Sequence, residues 1–278
     1  MLRKKFKTVV LSCFFAVQVV SRVGAGEVPE GKPEYMPDFS ASSAFVTKYI
    51  WRGQNLGNEP VMQSDISMAL KGFTVGWWSN YSMNNDKTRD AGRYQEFTES
   101  DLYLDYTVSV GTMSETFNVD SPDVLDKLSF SAGYTYYTFP NLNWDLETFD
   151  THEPYLGVSY DILLKPFFKW YWDVDSGKGI AGDSGRGSYY LAGIGHTFEF
   201  GESGISADLG LTAAYNDEQW TDKSGWSDLN LSGGVNITCF KYFTIRPLVS
   251  YSMILDRDTY NDLQDNEIYG GIKIGVKY

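Results

Sequence analysis

Between Phe39 and Tyr278 this sequence writes one short pattern repeatedly, an apolar residue alternating with a polar one. "FVTKYIW" sets Phe45, Thr47, Tyr49 and Trp51 against Val46, Lys48, Ile50 and Arg52. "DLYLDYTV" sets Leu102, Leu104, Tyr106 and Val108 against Asp101, Tyr103, Asp105 and Thr107. "GGIKIGVKY" places Ile272, Ile274, Val276 and Tyr278 on one parity and Gly271, Lys273, Gly275 and Lys277 on the other. Period two is the mark of a strand with one apolar and one polar face. Past the N-terminus no run of 18 apolar residues occurs, so a membrane-spanning helix is not expected.

Such runs are centred near Thr47, Ile66, Trp77, Leu104, Tyr134, Leu156, Trp170, Ile194, Leu209, Val235, Val249 and Ile274, which predicts twelve strands. Lys71-Gly72, Asp161-Ile162, Gly201 to Gly204 and Phe240 to Tyr242 are tight connections. They alternate with long polar ones: Gly53 to Pro60, Asn84 to Tyr94, Pro140 to Asp150, Asp175 to Gly187, Asp217 to Gly225 and Asp256 to Asp265. Thr112 to Lys127 breaks the rule, being long where a short turn is due, and Ser121-Pro122-Asp123 before Val124 and Leu125 suggests a short helix. Short turns at one end, long loops at the other and an even strand count are the plan of an outer-membrane β-barrel. The backbone gives the reason: in hydrocarbon every N–H and C=O needs a partner within the protein, and a closed sheet supplies one without helices. A soluble β-sandwich is the competing all-β reading, but it gives no reason for short and long connections to alternate.

The N-terminus agrees with export. Arg3, Lys4, Lys5 and Lys7 precede an apolar stretch, and Val23-Gly24-Ala25 offers a small-residue cleavage site. We read 1–25 as a signal peptide, 26–38 as a short periplasmic segment and 39–278 as one barrel domain; an anchoring helix is the alternative, interrupted too early by Gln18, Ser21 and Arg22. Val10-Leu11-Ser12-Cys13 faintly resembles a lipoprotein signal, with too little hydrophobic chain before Cys13. Of 23 Lys/Arg, five go with the signal and no acid does, which leaves 18 against 36 Asp/Glu. So acidic a chain lacks the clustered cations that nucleic acid requires. Cys239 alone then remains, so no internal disulfide is expected.

A C-terminal strand with alternating apolar residues and a final aromatic, here Ile274, Val276 and Tyr278, resembles the signal read by the barrel-insertion machinery. Aromatic residues near strand ends, among them Trp51, Tyr81, Tyr106, Phe139, Tyr160, Trp172, Tyr215 and Tyr251, suit the girdles at both membrane interfaces. Neither of the two histidines offers a His-x-Ser pair of the kind esterase barrels carry; His196 with Glu199 reads as a strand histidine near the rim rather than an acid–base pair. Asp173-Val174-Asp175-Ser176-Gly177 and Asp256-Arg257-Asp258 have calcium-like spacing but lack a full ligand set. No catalytic residue, metal or cofactor is expected. Acidic loops facing surface glycolipid through divalent cations, and outer-membrane lipid itself, are the expected surroundings.

Function then belongs to the lumen. Parity assigns to it Lys48, Arg52, Asp65, Glu99, Asp101, Asp105, Glu153, Lys165, Lys169, Asp173, Asp208, Asp228, Arg246, Glu267, Lys273 and Lys277, and leaves the strand of His196 without an assigned face. Lys48, Arg52, Asp65, Glu99, Asp101, Asp105, Lys169 and Arg246 are the candidates for a constriction. Mixed charge in a narrow barrel has two readings: a wet constriction that selects small polar solutes, or a plug of ions paired across the lumen. Twelve strands fall between barrels filled by side chains and barrels with an aqueous channel. The pattern Tyr49-Ile50-Trp51-Arg52-Gly53, with the strand "VMQSDISMAL" after it, resembles the first strand of the bacterial TorF-type porin family. The resemblance spans about the first third and the closing strand, and implies outer-membrane localisation and a channel rather than a substrate; passive uptake of small polar solutes is the favoured function, and a non-conducting structural barrel the alternative. The resemblance places Arg52 inside the barrel near the outer rim beside Gly53, bridging Asp65 or Glu99 or selecting solutes.

Overall fold

The computed structural model of the chain describes residues 35–83, 96–140, 150–174 and 186–278. The signal-peptide reading, Cys13 and the greater part of three long connections lie outside the described residues, as does most of the Asp173 to Gly177 run.

Among the described residues fourteen strands follow in order: β1 (Asp38–Val46), β2 (Tyr49–Trp51), β3 (Gln54–Gly57), β4 (Val61–Leu70), β5 (Phe73–Ser82), β6 (Glu96–Ser109), β7 (Leu128–Thr138), β8 (Thr151–Tyr160), β9 (Phe167–Asp173), β10 (Gly187–Glu199), β11 (Ile205–Asp217), β12 (Ser224–Cys239), β13 (Phe243–Ile254) and β14 (Glu267–Lys277). All but β2 and β3 close into a single antiparallel barrel of twelve strands, as the alternation predicts. Closure joins the two ends of the chain. β1 pairs with β14 from Ser40↔Lys277 to Val46↔Gly271, and Phe39 and Tyr278 exchange N–H···O bonds of 2.9 and 2.8 Å. The sheet therefore has no free edge, the condition for crossing hydrocarbon on strands.

Outward positions make a continuous apolar surface: Ile66, Leu102, Leu156, Leu209, Leu231, Val249 and Ile272 are all more than half exposed. In water that surface would be a severe liability; against acyl chains it is the barrel's proper solvent. Aromatic rings run along it, with Trp172, Trp170 and Tyr190 in a stacked series and Tyr215 edge-on to Trp226. Among the described residues no helix is long and apolar enough to cross a membrane. The architecture is that of an outer-membrane barrel.

The connections at the end carrying β1 and β14's termini are short, with two exceptions. Residues 161–166 make a longer turn than the expected Asp161-Ile162, held by Lys165 N donating to Ile162 O at 2.9 Å. The connection after β6 holds two helices, α1 (Val110–Phe117) and α2 (Asp123–Asp126). Pro122 and Asp123 announce the second in the sequence. The first depends on the Ser109 hydroxyl, which accepts from Thr112 N at 3.0 Å, and on Asn118, which closes it in the left-handed region.

Candidate functional site

The sequence pattern misplaces the end of the first wall strand. Alternation across Phe45 to Trp51 suggests one continuous strand through Thr47, yet β1 ends at Val46 and the chain bends before β2. Phe45 stays on the lipid side, about half exposed, while Tyr49 turns inward and is buried. The β2–β3 hairpin leaves the wall and folds into the lumen. Its two-residue turn is Arg52-Gly53, with φ of 50° and 78°. That double left-handed geometry makes a tight hairpin, and glycine supplies its second residue at little cost. A Cβ on Gly53 would stand 2.9 Å from Asp228 Cβ, so the turn is also pressed against β12.

Arg52 is 3% exposed and sits at the hub of the outer section. Nη1 and Nη2 donate to Glu153 Oε2 and Oε1 of β8 at 2.7 and 2.8 Å, a bidentate fork. Nη1 also donates to Gln219, whose Nε2 returns a bond to Glu153 Oε2 at 2.5 Å. The rings of Tyr171, Tyr189 and Trp51 lie 4.5, 4.5 and 4.6 Å from the guanidinium carbon. Tyr137 donates to Glu153 Oε1 at 3.0 Å. From the outer loops, Tyr260 donates to Arg52 O at 2.6 Å. Tyr189 and Ser227 donate to Asp228 at 2.8 and 2.6 Å. The Arg52 side chain thus ties the hairpin to β8, β9, β10 and the Gln219 loop, while its backbone carbonyl takes the bond from Tyr260.

The base of the hairpin is secured separately. Tyr49 donates to Glu99 at 2.5 Å and packs on Trp78. Lys48 is partly exposed and pairs with Glu267 at 2.5 Å, and Asn55 reaches Gln264 and Glu267.

Asp65, Glu99, Asp101, Asp105, Glu153, Lys169, Asp173, Asp208, Asp228, Arg246 and Lys273 are all buried on the lumen side. Three expectations change. Lys165 belongs to the turn after β8, where it is exposed beside Asp161, because its strand starts only at Phe167. Trp51 is no girdle residue; it stands edge-on to Tyr137 and Trp220 inside the mouth. Arg52 bridges Glu153 and Gln219, not Asp65 or Glu99, since its hairpin points across the barrel rather than along β4. Tyr171 shares the parity of Lys169 and Asp173 and was readable from that; Gln219 and Tyr260 come from loops, where no periodicity marks them.

The two histidines face outward. His196 shares a face with Ile194 and Phe198, packs edge-on to Phe198 and bonds the Leu163 carbonyl at 2.7 Å. His152 stacks on Tyr136 and bonds the Tyr134 hydroxyl. Among the described residues no group of His, Cys, Asp and Glu side chains is arranged to hold a metal ion.

Toward the inner end the lumen changes character. Ser42, Ser67, Ser131, Ser159, Thr197 and Ser232 face inward and remain partly accessible. Arg246 donates to Asp208 from Nη2 at 2.5 Å and from Nε at 3.3 Å. Tyr103 donates to Asp65 at 2.9 Å, and Lys169 lies 4.2 Å from the Tyr155 ring centre.

No protein-family model and no curated protein sequence matches the chain. Solved structures do. An outer-membrane channel from Pseudomonas putida F1 superposes with a TM-score of 0.50 at 9% identity, covering 91% of this chain and 100% of that one. The NanC porin gives 0.49 at 12% identity, covering 86% and 98%, and the KdgM porin 0.48 at 11% over the same shares. At such identities the likeness concerns the fold alone: this chain shares a barrel architecture with the Pseudomonas putida channel.

Proposed function

We propose that the protein is a narrow porin-like channel of the bacterial outer membrane for passive diffusion of small polar solutes, with the inward hairpin as its constriction. The observation that carries this reading is the division of the lumen. Accessible hydroxyls line the inner part, while a folded-in hairpin, packed against wall and loop side chains, closes the outer part. The pattern Tyr49 to Gly53, which resembles that of TorF-type porins, falls on this hairpin. A wall filled by its own side chains would need no such device. In this reading no residue performs catalysis; the lumen's ions orient solutes and set charge preference. Outer-membrane lipid and glycolipid surround the belt, and Ile274, Val276 and Tyr278, exposed on the outward face, are what the insertion machinery would grip.

A second reading, a non-conducting barrel with a structural or surface-interaction role, is favoured by the packing at Arg52: Tyr171, Tyr189, Glu153, Gln219 and Asp228 are buried to within 1% of full. A lipid-modifying enzyme ranks third, and turnover of lipid by purified protein that is lost on changing His152 or His196 would revive it. Planar-bilayer recording of refolded protein separates the first two. Discrete open steps are expected; persistent silence from correctly folded protein would leave the structural barrel.

A further inference from the structure

We propose that Lys273 and Arg246 form a docking point for a carboxylate group inside the barrel, so that the solutes handled are small carboxylates. The inference rests on the channel reading for its physiological meaning, not for its chemistry. The two residues are direct cross-strand partners on β14 and β13, and both side chains face the lumen. Two like charges side by side in a buried setting repel unless something anionic lies between or before them.

Arg246 is held in place. Its Nε and Nη2 are taken by Asp208, and Gly234 provides the space it lies in: a Cβ there would come within 2.7 Å of Nε and 2.8 Å of Nη2. Its Nη1 is buried with no hydrogen-bond partner. Lys273, 7% exposed, forms no hydrogen bond or ion pair among the described residues. Asp65 is near enough to attract it, but Asp65 also accepts from the Tyr103 hydroxyl. A fixed guanidinium edge and an adjacent ammonium therefore present unused donors at one point, where a carboxylate with two oxygens can accept from both. Ser42 and Ser67, accessible hydroxyls on the neighbouring strands β1 and β4, leave room on the approach from the inner end.

The test uses folded full-length barrel in a detergent free of carboxylate buffer, with carbon-13-labelled acetate as the probe and saturable line broadening as the readout. Glycine forms a second arm, separating a simple carboxylate from one that also carries an ammonium toward Asp65. Saturable binding in either arm, weakened at least about tenfold by Lys273→Gln, restored by Lys273→Arg and untouched by the surface change Lys241→Gln, upholds the site; tenfold corresponds to about 1.4 kcal/mol. Should Lys273→Gln not fold, Arg246→Lys serves instead: it keeps the charge, removes the free Nη1 and should weaken binding. No saturable binding in either arm, or binding indifferent to both variants, overturns the proposal. The channel reading fails separately, since acetate binding by a barrel silent in bilayers would keep the site and remove the pore.

Discussion

The two ends of this lumen solve different problems with the same wall. At the outer end, buried side chains converge on Arg52 and interlock. At the inner end, small hydroxyl and glycine positions leave the wall low and reachable. The outer end is a network in which each group is another's partner, so removal of one strands the rest. The inner end pairs its polar groups locally, Arg246 with Asp208 and Tyr103 with Asp65, and leaves its hydroxyls reachable between them. Stability is concentrated where the hairpin docks; room for solute is found where it does not reach.

The contrast is most exposed by Arg52→Ala, which leaves Glu153 buried without its counter-charge. We expect a loss of about 3–5 kcal/mol in denaturant unfolding, with larger bilayer conductance and a shifted reversal potential. An unchanged reversal potential would remove Arg52 from the solute path. In an Arg52→Ala, Glu153→Ala double variant much of the stability should return while the conductance stays high. A smaller effect is expected from Gly53→Val, because φ of 78° is unfavourable for a branched residue and Asp228 occupies the space its Cβ would take. A cost of about 1–3 kcal/mol is the scale of such strain, and unfolding equilibria that match the parent would mean the turn is not pressed on the wall.

At the inner end, Ser159→Ala should shift stability by no more than about 0.5 kcal/mol, and a cost like that of Arg52→Ala would erase the distinction between the sections. The smallest effect belongs to the outer loops, away from the membrane. Asp222 accepts from Asn261 Nδ2 at 2.7 Å, and this bond, ahead of Lys223, holds its carboxyl below the usual range. A depressed acid adds stability above its unfolded pKa and loses it as pH falls through the folded value. Asn261→Ala should therefore raise the Asp222 midpoint toward an ordinary aspartate in an NMR titration, while conductance is unaltered.

The barrel was legible because its cause is periodic. Each wall strand alternates between two solvents, so twelve runs of period two predict twelve strands, and the parity of Asp65, Asp101 or Lys273 follows from its neighbours. The hairpin was not legible for the same reason. Tyr49 and Trp51 alternate as faithfully as Phe45 does, yet they pack against protein inside the barrel, and a two-residue period cannot tell a wall strand from one folded inward. Arg52-Gly53 carried the only local hint, as a turn. Gln219 and Tyr260 lie in loops and reach Arg52 only through the closed topology. The face of β10 stayed ambiguous because "YYLAGIGHTF" mixes small and apolar residues on both parities, and only pairing to β9 and β11 resolves it.

The partners of Arg52 also bear on assembly order. Glu153, Gln219 and Tyr260 lie 101, 167 and 208 positions further along the chain. An arginine made early thus waits for strands made late. The cork can be seated only once the bottle around it exists, so the N-terminal portion must stay unsatisfied through most of biogenesis, and a barrel arrested before its last strands would be uncorked.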